Sequence, residues 1–288
     1  MTEGSHTVRK LLAMTAALVG ALAIGLVPAA AITGGQLDGN LHPNVAMIVF
    51  YQPDGRFRCS ATLVSSTVLV TAAHCTDGVR GKVIATFDTV APTPTPRAAD
   101  DSGSGMSATG YAAPVPGWLT GTPHAHPLWD GELQLNDLHD VGVVVLDAPY
   151  TSATPAPLPP RNYLEGLAKG NGGLSKQTFE VVGYGVFFEK PSEGPQKPTS
   201  VADRTRRFTT AVGQNISSQV LKLAENGKDS RAGGGSCFGD SGGPAFHAGL
   251  LVADTSFGAS QFCRSAGGYY RLDTDDARMF LDDYVAVP

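Results

Sequence analysis

Short apolar runs, rich in valine and bounded by glycine, proline, serine or aspartate, constrain this chain more than any other feature. They read NVAMIVFY (44–51), TLVSSTVLVTAAH (62–74), VGVVVL (141–146), FEVVGYGVFF (179–188) and AGLLVADTSF (248–257). β-Branched residues suit a pleated, packed surface, and frequent turn residues end each run early, so the chain reads as all-β. A helical pattern appears only near the end, where Phe280, Leu281 and Tyr284 fall at i, i+1 and i+4. At 288 residues the chain can build one large or two medium domains with cores of their own. Two segments, Thr89 to Thr122 and Glu189 to Val201, are dominated by proline, glycine, serine, threonine and alanine or interrupted by prolines. They are expected to be exposed, mobile loops.

The N-terminus has the layout of a secretory signal peptide: Arg9-Lys10, an apolar stretch from Leu11 to Val27, then Pro28-Ala29-Ala30-Ala31. The stretch is at the lower limit for spanning a bilayer and ends in an A-x-A cleavage site, so removal of residues 1–31 is expected. Cleavage after Ala31 would make Ile32 the first residue and leave 32–288 as the mature, secreted protein. The whole chain has 21 basic and 26 acidic residues; without Arg9, Lys10 and Glu3, 19 and 25 remain, a net charge of −6. No Lys/Arg-rich block is present, so nucleic acid is not expected as a partner, nor a membrane once the signal is gone. His124-x-His126 sits in a Pro/Gly-rich loop with fewer neighbouring ligands than a metal site uses, so neither metal nor cofactor is expected. The even count of four cysteines favours disulfides in an exported chain, and four cysteines allow three pairings.

Gly239-Asp240-Ser241-Gly242-Gly243 is the sharpest local signal, and it fits the G-x-S-x-G pattern of a nucleophilic serine. In an α/β-hydrolase the acid and histidine follow the serine, but only His247 follows Ser241, six residues on, and the alternating strand and helix pattern is missing. The opposite chain order fits better. His74 stands in Thr71-Ala72-Ala73-His74-Cys75, directly after a strand-like run, and Asp140 heads the apolar strand Val141 to Leu146. Asp137 is the competing acid, but His139 and Asp140 follow it, whereas Asp140 runs straight into residues that would bury it. A serine hydroxyl is a weak nucleophile at neutral pH and needs a base against it; the base needs a buried carboxylate to fix its tautomer.

These three pieces, with Ile32-Thr33-Gly34-Gly35, closely resemble the chymotrypsin-like, or trypsin-fold, serine endopeptidases over essentially the whole mature chain, apart from the two loops. The resemblance implies two antiparallel Greek-key β-barrels, roughly 32–150 and 151–275, with the active site in the cleft between them and a C-terminal helix. It implies His74, Asp140 and Ser241 as the catalytic triad, and the N–H groups of Gly239 and Ser241 as the oxyanion hole. It pairs Cys59 with Cys75 and Cys237 with Cys263. It also implies that the free α-amino group of Ile32 pairs with Asp240, so that removal of the signal peptide alone would generate the active enzyme.

The specificity pocket implied by the resemblance has Gly235 and Ser236 at its floor, Ser256-Phe257-Gly258 and Gly267 as walls, and Phe238 at its entrance. Gly235 carries no charge, and the glycines leave room for a large side chain, so a neutral P1 residue, aromatic or Leu/Met, is expected. An acid reaching the floor from elsewhere in the chain would change that expectation. The protein is expected to act as a monomer on protein or peptide substrates and to meet proteinaceous inhibitors. The competing readings are a protease-like binding protein with dead chemistry and a serine esterase.

Overall fold

The computed structural model describes residues 32, 34–93, 95–170, 172–189, 199–225, 233–260, 262–263 and 265–288. The expected signal peptide and most of 189–201 lie outside them. A two-residue strand β1 (Gln36–Leu37) precedes the first barrel, built from β2 (Val45–Gln52), β3 (Gly55–Ser65), β4 (Val68–Thr71), β5 (Arg80–Thr86), β6 (Leu119–Ala125) and β7 (Gly142–Leu146). These six antiparallel strands close in the order β2-β3-β4-β7-β6-β5. A helix α1 (Tyr163–Lys169) leads to the second barrel. Its strands are β8 (Thr178–Gly183), then, after the small hairpin of β9 (Phe187–Glu189) and β10 (Thr199–Val201), β11 (Arg207–Ile216), β12 (Val220–Ala224), β13 (Pro244–His247), β14 (Leu250–Gly258) and β15 (Ala266–Arg271). The order β11-β12-β15-β14-β13-β8 closes because β8 also pairs with β11.

The β2 strand shows why its sequence is apolar throughout rather than alternating. Ala46, Ile48 and Phe50 point into the first barrel with Leu63, Leu69, Val83 and Val144. The alternate residues Val45, Met47, Val49 and Tyr51 face the opposite way and join a second cluster that reaches across to the other barrel. That second cluster corrects the reading of 89–122 as an exposed, mobile loop. Ala91, Ala98, Ala108 and Tyr111 are buried in it, and Leu119–Ala125 is a barrel strand. The Tyr51 hydroxyl donates to Asp101 Oδ2 at 2.7 Å, and the Tyr51 and Tyr111 rings meet edge-on at 5.0 Å. The segment is a belt strapped over the outer face of β2.

The C-terminal helix forms where expected, as α2 (Asp275–Asp282), capped by Thr274, whose hydroxyl accepts from Ala277 N, and anchored by Phe280 and Leu281. Tyr284 packs against Phe280 just beyond its end. Arg206, fully buried, joins the N-terminal segment to the barrels. Its guanidinium pairs with Asp38 Oδ2 at 2.8 Å and donates to the carbonyls of Val45 and Phe87.

Candidate active site

Strand register brings the histidine and its acid together. β4 pairs antiparallel with β7 so that Thr71 stands opposite Gly142, which sets the residues just after β4 beside those just before β7. His74 lies in a 3-10 turn, Ala73–Cys75, pinned by the Cys59–Cys75 disulfide. Asp140 is completely buried. Its carboxylate accepts from His74 Nδ1 at 2.9 Å, from the His74 backbone N–H at 3.0 Å and from Ser256 Oγ at 2.5 Å. Burial alone would push His74 down, but the charge of Asp140 and its hydrogen bond outweigh burial and raise its pKa above the ordinary histidine value. Asp137, the competing acid, instead contacts His139 Nε2 at 2.6 Å with its side chain largely exposed.

Ser241 is delivered by the turn that precedes β13. Its carbonyl accepts from Ser60 N of the first barrel at 2.8 Å, and Gly242 N donates to Thr255 O at 2.7 Å. At Gly242 φ is +72°, and a Cβ would lie 1.9 Å from Thr71 Oγ1, so only glycine lets this turn sit against the histidine strand. His74, Gly239 and Ser241 line one cleft of about 580 Å³, together with Phe238 and Arg58. Gly239 adopts φ +96°. The Phe238 carbonyl is held by Val186 N at 2.8 Å. In a trans peptide the carbonyl and the next N–H point opposite ways, so the Gly239 N–H is turned away from Val186. Among the described residues, neither the Gly239 nor the Ser241 N–H has a protein acceptor.

Asp240 is fully buried and accepts from Gly185 N at 2.7 Å and Cys237 N at 2.8 Å. Burial pushes its carboxyl up to about 7, against those two bonds and the Arg58 charge. Ile32 is also buried, and a Cβ on Gly34 would lie 2.0 Å from Gly233 O, so the N-terminal segment packs on the stretch that leads to Gly235.

Beside Ser241 a second pocket of about 270 Å³ is lined by Ser236, Cys237, Phe238, Ser256, Phe257, Gly258 and Cys263, with Cys237 and Cys263 disulfide-bonded. Phe238 is 61% exposed and belongs to both the cleft and this pocket, as an entrance residue does. The expected pocket residues Gly235 and Gly267 are not among the residues that line it. A Cβ on Gly235 would lie 2.1 Å from the Cβ of Glu225, and one on Gly267 would lie 2.4 Å from the Oε1 of Glu225. The Glu225 Oε1 accepts from Ser236 N at 3.1 Å and Ser236 Oγ at 2.8 Å, and from the Tyr269 hydroxyl. Burial pushes the Glu225 carboxyl up from its ordinary value.

Sequence reasoning also missed Trp129, whose ring centroid lies 6.3 Å from that of His74, and Asp254. Asp254 is fully buried, and among the described residues neither of its carboxylate oxygens has a hydrogen-bond partner. Among the described residues two groups bring metal-ligating atoms together: Cys59, His74 and Cys75, and His126, His139 and Asp276. The first group's sulfurs are committed to a disulfide. In the second, Asp276 Oδ2 accepts from Tyr270 OH at 2.5 Å and meets His139 Nδ1 at 2.7 Å, which braces the chain just before Asp140.

A family model described as Trypsin matches residues 34–274. The chain belongs to the trypsin family. Two curated trypsin-family relatives are Trypsin delta and Trypsin gamma of Drosophila melanogaster, each 25% identical over 258 residues, covering 85% of this chain and 86% of the relative. Two solved trypsin-like folds are similar in shape. One is described as HL collagenase (TM-score 0.57, 17% identity, 84% of this chain and 93% of that one). The other is human heparin binding protein (TM-score 0.53, 17% identity, 89% and 99%). Among the described residues of this trypsin-family chain, no helix is long and apolar enough to cross a membrane.

Proposed function

We propose that this trypsin-family protein is a secreted serine endopeptidase whose triad is His74, Asp140 and Ser241. The observation that carries the reading is the fully buried Asp140 carboxylate holding His74 Nδ1 at 2.9 Å while His74, Ser241 and Gly239 line one cleft. With Nδ1 committed to Asp140, Nε2 is the free base. It takes the Ser241 hydroxyl proton as Oγ attacks the scissile carbonyl carbon. The oxyanion that develops is met by the Gly239 and Ser241 N–H groups, neither of which has a protein acceptor among the described residues. The tetrahedral intermediate collapses as His74 hands its proton to the leaving amine, and water, activated by the same imidazole, releases the acyl group.

Signal-peptide removal after Ala31 frees the Ile32 amine, whose ammonium pairs with Asp240. The buried carboxylate, which among the described residues accepts from two amides, then gains a directly paired counter-charge, and the loop carrying Gly239 and Ser241 is fixed. Mature residues 32–288 act as a monomer on protein or peptide substrates and are the target of proteinaceous inhibitors.

The test is a fluorophosphonate probe applied to the secreted protein, with N-terminal sequencing of the labelled band. Covalent labelling at Ser241, lost in Ser241→Ala, on a chain beginning at Ile32 is the expected result. Absence of labelling favours a binding protein on a protease fold, and labelling without peptide cleavage favours an esterase.

A further inference from the structure

The histidine pair behind Asp140 is assembled from distant parts of the chain. His126 follows β6, His139 stands directly before Asp140, and the acid beside them, Asp276, lies in the first turn of α2. The sequence offered His126 too few neighbouring ligands, and the fold supplies them. His126 Nε2 lies 3.7 Å from Asp276 Oδ1, His139 Nδ1 lies 2.7 Å from Asp276 Oδ2, and ligand atoms of all three residues fall within 4.8 Å of one another. Both imidazoles are buried, whereas the Asp276 side chain is partly exposed and leaves an entry from solvent. Two of the three are held from behind. Asp137 Oδ1 meets His139 Nε2 at 2.6 Å, and Asp276 Oδ2 accepts from the Tyr270 hydroxyl at 2.5 Å and from Gln219 Nε2 at 3.3 Å. The two rings stack nearly parallel, 12° apart, so one must rotate for both nitrogens to face a single ion. His126 is the one that can, because its Nδ1 accepts only a 3.2 Å bond from Leu128 N, in an exposed turn.

Zinc and its first-row neighbours bind imidazole nitrogen together with carboxylate oxygen, whereas calcium and magnesium take oxygen. At zinc bond lengths of about 2.0–2.1 Å, tetrahedral ligands stand roughly 3.3 Å apart, and the 2.7 and 3.7 Å contacts bracket that spacing. We propose that His126, His139 and Asp276 form a site for a zinc-type divalent metal ion, with water as the fourth ligand on the Asp276 side. His139 Nδ1 gives its lone pair to the ion and its proton to solvent, while its Nε2–H stays on Asp137, which orients the ring. His126 binds through Nε2, so its ring proton sits on Nδ1 and the Leu128 bond is released to solvent. That bond belongs to a turn closed by Trp129 N donating to His126 O at 3.0 Å, and the Trp129 ring stands 6.3 Å from that of His74. Loading the site therefore shifts the turn that carries Trp129, next to the candidate catalytic base.

The experiment titrates zinc chloride by calorimetry into the untagged mature chain carrying Ser241→Ala, which prevents self-digestion. One ion per chain is expected, and a large excess of calcium should not displace it. His126→Leu, an apolar replacement against Phe280, should abolish binding, and His124→Ala, two residues away, should leave it unchanged. Asp137→Asn, which loosens the hold on His139, should weaken binding by about 10–100-fold. Zinc should also change the tryptophan emission, and Trp129→Phe should remove that change. No binding, binding that survives His126→Leu, or a loss in His124→Ala equal to that in His126→Leu overturns the site. Unchanged affinity in Asp137→Asn overturns the role of His139, and binding with no change in emission overturns the coupling to Trp129. Should His126→Leu fail to fold, Asp137→Asn decides, since the Asp137 side chain is largely exposed. None of these readouts needs turnover, so failure of the metal site and failure of the endopeptidase reading are seen separately.

Discussion

His74 Nδ1 and Asp140 Oδ2 stand 2.9 Å apart, with the carboxylate wholly out of solvent and also bonded to the His74 backbone N–H and to Ser256. Asp140→Asn keeps the shape but offers an amide where an acceptor is needed, which favours the wrong tautomer. A fall of about 10⁴-fold in kcat is expected with an unchanged melting profile; that magnitude is the one known for the equivalent change in this kind of triad.

On the proposed endopeptidase reading, the same contact sets the acid limb of activity. His74 must be neutral to act as base, and Asp140 raises its pKa above the usual 6.5. Activity should therefore climb through a midpoint above 6.5 in a kcat/KM profile. A midpoint below 6.5 would show that burial, not Asp140, governs the imidazole.

Asp240 makes the unprocessed chain sensitive to pH. Its folded pKa of about 7 is raised above the carboxylate value of an unfolded chain, so its contribution is greatest below about pH 4 and is lost as pH rises through 7. A chain that starts at Ala29 and carries Ser241→Ala should lose stability between pH 5 and 8 by a few kcal/mol more than the same chain with Asp240→Asn. On the proposed pairing of the Ile32 amine with this carboxylate, a chain starting at Ile32 should show little of this loss. Denaturant titrations at the two pH values measure it.

Asp254 is the least comfortable group in the core. Burial and the nearby Asp140 push its pKa well up, and neither oxygen has a partner among the described residues. Asp254→Val suits the strand and removes the orphaned group, so it should stabilise the fold by roughly 1–3 kcal/mol. The raised pKa means the wild-type penalty grows as pH rises, so the gain should be larger at pH 9 than at pH 5.

His42 lies between Asp38 Oδ1 at 2.5 Å and Glu180 Oε1 at 2.6 Å. Burial opposes its charge, but the two hydrogen bonds raise its pKa to about 9. Its contribution is complete below the unfolded value near 6.5 and is lost as pH passes 9. His42→Gln should cost roughly 1–2 kcal/mol at pH 6, discounted because Glu180 is partly exposed, and almost nothing at pH 10.

The sequence carries the strands plainly, because β2 and β4 are valine-rich runs that turn residues cut short. The His74, Asp140 and Ser241 positions were legible for a similar reason: each sits at the end of such a run or in a glycine-framed turn. The belt over β2 was not legible. Its burial comes from isolated alanines and Tyr111, with no periodicity, and from a bond between Tyr51 and Asp101, fifty positions apart in the chain. Glu225 was hidden because only the β12–β15 register brings it under Gly235 and Gly267. Those glycines mark space that the Glu225 side chain occupies. Asp254 and Arg206 look like ordinary strand and loop residues until the barrels close around them.

The most direct test of the whole account is the turnover of one peptide substrate by the mature protein and by Ser241→Ala, prepared identically and both shown to be folded. The parent is expected to cleave it, and the alanine protein to lose on the order of 10⁶-fold in kcat. Equal turnover by the two proteins would contradict it.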